Sequence, residues 1–185
     1  MLGAPGAGKG TQAVRIAEAH DVPHISTGEM LRRAIAAGTE LGQKVKEVVE
    51  SGALVPDELM IEVIRERLGE PDAKEGFVLD GFPRTIGQAE ALDSLLVELG
   101  RPLENVLELA LDEEVAVQRM LGRAVEQGRA DDTIEVIRNR FDVYRRQTEP
   151  LSDHYRRQGI LIVVDAAPGI DEVFAMIERA LDGAR

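Results

Sequence analysis

Near its start the chain reads Gly3-Ala4-Pro5-Gly6-Ala7-Gly8-Lys9-Gly10-Thr11-Gln12 and opens straight into apolar residues at helical spacing. Glycines let successive backbone N–H groups converge on one anion, and a helix that starts there adds the positive end of its dipole. Lys9 supplies a movable charge, so the chemistry on offer is the binding of a chain of phosphates. The general phosphate-loop pattern asks for Ser or Thr directly after the Lys, whereas here Gly10 stands before Thr11. Farther along, Phe77-Val78-Leu79-Asp80 is an apolar run that ends in a carboxylate. At the C-terminal edge of a sheet such an acid sits beside a phosphate loop and can hold water on Mg²⁺; its plainer reading is a turn-former before Gly81. Arg84 follows at the same edge, where open α/β sheets bind ligands. Arg119 and Arg123 are spaced to share one helix face as a two-pronged anion clamp, while Arg129 precedes and Arg140 lies within a long helical pattern. Arginine suits forked contact with phosphate oxygens. Its competing reading, a solvated helix face, is the expectation for Arg145, Arg146, Arg156 and Arg157.

The elements that must position these residues alternate. Short apolar runs at Val22 to Ile25, Phe77 to Leu79, Val106 to Leu111 and Ile160 to Val164 read as strands. Helical spacing of apolar residues marks Thr11 to His20, Glu29 to Ala37, Leu41 to Ser51, Glu58 to Leu68, Ile86 to Leu99, Glu113 to Arg123, Ile134 to Arg157 and Asp171 to Leu181. This order predicts an α/β fold with a parallel sheet flanked by helices. Ser26 with Glu29 has the spacing of a capping box, and Asp131, Asp132 and Thr133 offer caps for the long helix. Thr27 to Pro56 holds helices and no strand, so it reads as a helical insertion between two strands. Only Met1 and Leu2 precede Gly3, which leaves four readable strands where a phosphate loop needs a fifth to feed it.

Composition narrows the function. The chain has 185 residues with 34 acidic and 22 basic side chains, a net charge of −12, and 44% hydrophobic residues, enough for one globular core. A broad nucleic-acid surface is not expected at that charge. Eighteen of the basic residues are arginine, and the window from 119 to 157 holds nine of them against seven acids. With no cysteine there is no disulfide framework, thiol nucleophile or cysteine-bound zinc. His20, His24 and His154 lack metal-binding spacing and read as structural or surface groups, and Met30, Met60, Met120 and Met176 read as core. No run approaches the roughly 20 apolar residues of a membrane span, so a soluble, cytoplasmic protein with no membrane or nucleic-acid partner is expected.

The Gly-Lys-Gly-Thr ending of the loop resembles the adenylate kinase family, and the likeness runs on to Val164-Asp165. Ser26-Thr27-Gly28-Glu29-Met30-Leu31-Arg32, Leu79-Asp80-Gly81-Phe82-Pro83-Arg84-Thr85 with Gln88, Arg119 with Arg123, and Arg129-Ala130-Asp131-Asp132 with Arg140 are similar to that family's blocks in order and spacing. The resemblance implies a P-loop nucleoside monophosphate kinase fold and the reaction ATP + AMP ⇌ 2 ADP. It implies an ATP site at Gly6, Ala7, Gly8, Lys9, Gly10, Thr11, Arg119, Arg123 and Pro168, with Arg119 covering the adenine. An AMP site follows at Thr27, Arg32, Ala53, Val55, Gly81, Arg84, Gln88, Arg129 and Arg140, Gln88 meeting the adenine edge. Lys9, Arg84, Arg123, Arg129 and Arg140 are the implied catalytic residues, and Mg²⁺ enters with ATP through water held by Asp80, with no direct protein ligand.

The same likeness divides the chain into a core of 1–26, 57–122 and 134–185, an AMP-binding insertion of 27–56 and a short lid loop of 123–133 without zinc. It implies a monomer. In this family a central strand leads into the phosphate loop; here it is expected to be largely missing, as if a few upstream residues were absent from the sequence. A kinase for UMP or CMP, or a catalytically impaired nucleotide-binding relative, are the alternatives. A GTP-dependent switch is disfavoured because no Asn-Lys-x-Asp stretch occurs.

Overall fold

The structure, a computed structural model, describes residues 1–127 and 133–184. Its strands are β1 Leu2–Gly3, β2 His24–Ser26, β3 Val78–Asp80, β4 Val106–Ala110 and β5 Leu161–Asp165. All pairings are parallel. One ladder has the order β1-β4-β5, with Leu2 opposite Glu108 and Gly3 opposite Leu109; the other pairs β2 with β3, Ser26 opposite Asp80. The ladders meet at β1, where the Met1 amino group donates to the Leu79 carbonyl at 2.7 Å. Burial pushes that amine down to about 6, Asp80 opposing the shift and Lys9 adding to it. The fifth strand is therefore present as two residues, too short to extend a ladder to β3.

Helices cover both faces, as parallel strands require. Helices α1 Lys9–Ala19 and α9 Ile170–Gly183 lie together, and Ile16, Val173 and Ile177 pack on Leu107, Leu109 and Val164 of the sheet. On the other side α4 Asp57–Leu68 and α5 Ile86–Glu98 bring Ile64, Leu68, Leu92 and Leu96 against Ile25 and Leu79. Each fully buried Leu or Ile in these stripes contributes roughly 2 kcal/mol. The insertion forms α2 Thr27–Ala36 and α3 Glu40–Glu50. These cross so closely that a Cβ on Gly42 would lie 2.1 Å from the Ala34 carbonyl oxygen, a space only glycine fits. Leu31 and Val45 anchor the pair to the α4–α5 core.

After β4 come α6 Glu113–Gln127 and α7 Ile134–Val143. The expected single helix from 134 to 157 is three pieces: α7, a π turn at Tyr144–Thr148 and α8 Pro150–Gln158. Pro150 explains the break, since its ring would crowd the carbonyl four residues back and it has no N–H for the helix ladder. The Glu149 N–H bonds instead to the Tyr144 carbonyl at 2.9 Å, the wide π spacing. Two capping expectations divide. Thr133 caps α7 through the Val136 N–H, Asp131 and Asp132 lie outside the described residues, and Ser26 makes no side-chain cap to α2, while the Glu29 carboxylate pairs with Arg33 at 2.5 Å. Arg145, Arg146, Arg156 and Arg157 are exposed, and Met60 and Met120 are buried.

Candidate active site

Phosphate loop, insertion, β3 edge and α6–α7 enclose one open crevice of about 1160 Å³. The loop between β1 and α1 folds by its glycines, and Gly6, Ala7, Gly8, Lys9, Gly10 and Thr11 line the crevice floor. Lys9 turns back over the loop, its Nζ donating to the Gly3 carbonyl at 2.7 Å and the Ala4 carbonyl at 2.9 Å. Burial presses its amine down to about 8; Asp80 opposes this, and Arg84 and Arg123 add to it.

Asp80 ends β3 and faces the loop, its Oδ2 3.4 Å from where a Cβ on Gly10 would lie, an ordinary van der Waals contact. Burial raises its pKa, but His24, Lys9 and the Met1 amine outweigh burial and hold the carboxyl below its ordinary value. The His24 imidazole is an electrostatic neighbour rather than a hydrogen-bond partner, with Nε2 3.8 Å from Oδ2 and no hydrogen bond of its own. One ionised carboxylate beside a phosphate-binding loop is the donor set that suits Mg²⁺, which keeps most of its waters and takes phosphate oxygens for the rest. Among the described residues no group of three or more His, Cys, Asp or Glu is placed to hold a metal by itself.

Gly81 turns the chain from β3 toward Arg84 with φ +80°, and a Cβ there would strike the Thr27 hydroxyl at 2.7 Å and the Arg84 guanidinium at 3.1 Å. The Phe82–Pro83 bond is cis. Arg84 is fixed at both ends of its residue: Nε donates to the Gly81 carbonyl at 2.7 Å, and its own carbonyl accepts from Thr148 Oγ1 at 2.8 Å. Burial lowers the pKa of this guanidinium, Asp80 opposes, and Arg140 and Arg32 lower it further. Arg119 reaches from α6 to the loop after β5, donating to the Ala166 carbonyl at 2.9 Å and the Ala167 carbonyl at 3.1 Å. That contact sets Pro168 at the crevice wall.

The expected site residues therefore lie together. Thr27, Arg32, Ala53, Val55, Gly81, Arg84, Gln88 and Arg140 line the crevice on the insertion side, and Arg119, Arg123 and Pro168 on the other. Arg129 lies outside the described residues. Six cations (Lys9, Arg32, Arg84, Arg119, Arg123 and Arg140) and two acids (Glu29 and Asp80) line it among the described residues. The crevice has the opposite sign to the chain as a whole, and local field governs what enters it.

Known proteins of the same sequence pattern decide the family. A family model described as adenylate kinase matches residues 1–160. An adenylate kinase of Stenotrophomonas maltophilia (strain K279a) is 49% identical over 181 residues, covering 98% of this chain and 97% of the relative. One from Phenylobacterium zucineum (strain HLK1) is 50% identical over 184 residues, covering 100% of this chain and 97% of the relative. One from Archaeoglobus fulgidus is 44% identical over 209 positions, covering 98% and 96%. The chain belongs to the adenylate kinase family. It is thus a nucleoside monophosphate kinase with the P-loop fold of that family.

The adenylate kinase crevice also uses residues that sequence reasoning missed. Asp57 accepts hydrogen bonds from Thr85 and from Gln88, each at 2.7 Å, and Thr85 caps α5 through the Gln88 N–H. The spacing Thr85-x-x-Gln88 is a capping-box signal that marks the Thr85 cap, but it says nothing of Asp57. Gln12 donates to the Ile170 carbonyl at 2.9 Å and so ties α1 to the wall carrying Pro168. Asn139 of α7 donates to the Ser51 carbonyl at 2.7 Å, which holds the end of the insertion against α7. No local pattern announces Gln12, Asn139 or Thr148, because their partners are distant in sequence.

Proposed function

We propose that the chain catalyses the reversible transfer of the terminal phosphoryl group of ATP to AMP, ATP + AMP ⇌ 2 ADP. The observation that carries this reading is the crevice charge: six cations and two acids, with cations contributed from both the phosphate-loop side and the insertion side. Binding one nucleotide would need donors on one side only. Donors on both sides suit a phosphoryl group that moves between two phosphate-bearing partners.

In this reading the loop amides and Lys9 bind the β- and γ-phosphates, and Arg119 lies over the ATP base beside Pro168. Thr27, Ala53 and Val55 border the AMP base and ribose, Gln88 meets the adenine edge, and Arg32 and Arg84 hold the AMP phosphate. Arg123 and Arg140 neutralise charge on the migrating group; Arg129 is assigned with them on its sequence block alone. Asp80, kept ionised, would hold Mg²⁺ through water with Thr11 nearby, and the bound ion would supply charge neutralisation on the ATP phosphates. No zinc takes part. The attacking oxygen belongs to a phosphate that is already ionised near neutral pH, so positioning and charge stabilisation are the residues' whole task and no general base is needed.

Residues 27–56 serve as one cover over the AMP and residues 123–133 as a short lid, on a core of 1–26, 57–122 and 134–185. Both exclude water that would otherwise accept the phosphoryl group. The enzyme works as a cytoplasmic monomer without nucleic-acid or membrane partners. In support, no helix among the described residues is long and apolar enough to cross a membrane, and large exposed apolar side chains such as Val97, Ile134 and Ile170 are scattered over different elements. A coupled assay of ADP formation from ATP and AMP tests the reading. Mg²⁺-dependent turnover is expected, with AMP preferred over UMP and CMP; phosphoryl transfer to UMP or CMP at equal efficiency would overturn it.

A further inference from the structure

Gln88, the proposed reader of the acceptor base, is itself held in one orientation. The residue is 2% exposed. Its Oε1 accepts from the Arg84 backbone N–H at 2.8 Å, and its Nε2 donates to Asp57 Oδ1 at 2.7 Å. Asp57 Oδ2 accepts from Thr85 Oγ1 at 2.7 Å, and that hydroxyl accepts from the Gln88 backbone N–H at 3.1 Å. A primary amide has a donor end and an acceptor end of nearly the same shape, and half a rotation exchanges them. Here the two Asp57 oxygens both accept, one of them from the nitrogen, and a backbone N–H, which only donates, meets the oxygen. A reversed amide would leave both contacts as like against like, in a buried place where unmade hydrogen bonds are costly.

One Nε2 hydrogen and one Oε1 lone pair remain, as a donor and an acceptor of fixed order. Adenine offers the complement, an exocyclic amino group that donates beside a ring nitrogen that accepts. A purine with oxygen at that carbon offers the reverse, a carbonyl that accepts beside a ring N–H that donates. We propose that Asp57 sets the base polarity of the acceptor site: by fixing the amide of Gln88 it selects a 6-amino purine monophosphate over a 6-oxo one. Asp57 is the first residue of α4 and is not among the crevice-lining residues, so it acts through Gln88 as a positioning residue. The proposal rests on the reading of Gln88 as the base contact.

The test measures kcat/KM for AMP and for IMP as acceptors in the wild type, D57N, Q88A and the double variant. D57N keeps the shape but offers either end of an amide. It is expected to raise KM for AMP about tenfold and to cut the AMP-to-IMP ratio of kcat/KM by a similar factor. KM for ATP and kcat with AMP should stay within about twofold. Adding D57N to Q88A should not change the ratio further. That ratio does not depend on the fraction of enzyme that is folded, so even a poorly folding variant yields a usable value. A wild-type ratio retained in D57N, or an equal fall on the Q88A background, would overturn the proposal. A wild type that accepts IMP as readily as AMP would instead refute Gln88 as the reader, and with it the reading beneath.

Discussion

Lys9 offers a quantitative test of how the phosphate loop works, with pH as the perturbation. Burial brings its amine from the ordinary 10.5 down to about 8, so in the ligand-free protein it loses its proton in the range where an exposed lysine keeps it. The gap corresponds to about 3 kcal/mol. At the proposed site the phosphate oxygens of a bound ATP would restore the preference for the charged form. With a ligand-free value near 8 and a bound value back near 10.5, the fraction of ready ammonium falls about tenfold from pH 7 to pH 9. The Kd for ATP should therefore rise about tenfold over that interval, with close to one proton taken up per ATP bound at pH 9. Isothermal titration calorimetry in two non-phosphate buffers of different ionisation enthalpy reads both quantities. Lys9→Met should bind weakly and with no such uptake. The sign for stability follows from the same shift. Between about 8 and 10.5 the unfolded chain binds the extra proton, so this group's contribution to ligand-free stability rises with pH through that window and is unchanged below it. A wild-type Kd that is flat from pH 7 to 9, with no proton uptake, would refute the buried-ammonium argument.

Other perturbations bear on separate parts of the site. Replacing Arg84 by Ala should lower turnover by about 10²–10³ while changing the Kd for ATP less than about threefold, since the guanidinium sits on the insertion side; equal losses in both would remove its assigned role. Gly42→Ala drives a Cβ to 2.1 Å from the Ala34 carbonyl and should cost on the order of 2 kcal/mol, a fall of about 4–8 °C in melting temperature by calorimetry. An unchanged midpoint would mean that the helix pair of the insertion is not packed as closely as described. Asn139→Ala removes the bond to the Ser51 carbonyl, and amide exchange at Gly52 and Ala53 should quicken about fivefold; unaltered exchange would show that the insertion is held by other contacts.

What can be read from the residues is whatever is decided within a few positions. The phosphate loop is backbone chemistry, written locally by its glycines and Lys9, and the run ending in Asp80 declares both a strand and the acid at its edge. The arginine blocks are legible by type and order, and the fold then draws Arg84, Arg123 and Arg140 around one crevice. What escapes is decided by partners far along the chain. Thr148 reaches the Arg84 carbonyl across 64 positions, and Gln12 reaches Ile170 across 158. Thr85 and Gln88 are visible as types, but Asp57, 28 and 31 positions away, carries no signal until α4 and α5 lie side by side. The long helix fails as a single element because apolar spacing continues past Pro150 while the hydrogen-bond ladder cannot. His24 reads as a structural residue, and only the pairing of β2 with β3 brings it to Asp80.

The π turn at Tyr144–Thr148 has a consequence for how this chain tolerates change. Ile137 and Phe141 ahead of it pack on Ala4, Ala116 and Met120, whereas Leu151 and Tyr155 beyond it pack on Leu2, Ala89 and Val106. One rod thus serves two cores, and the turn is the phase shifter between them: fitting one more residue into a turn rotates all that follows by about a quarter turn relative to an uninterrupted helix. Arg145, Arg146 and Gln147 on its outer side are exposed, and the ion pairs of Arg145 with Glu113 and Asp142 are of the surface kind that contributes about 0–1 kcal/mol. Substituting any of the three should leave the melting temperature nearly unchanged. Deleting one should swing Leu151 and Tyr155 off their partners and draw Thr148 away from the Arg84 carbonyl, costing both stability and turnover. In this segment the identity of the residues is free to vary, and their number is not.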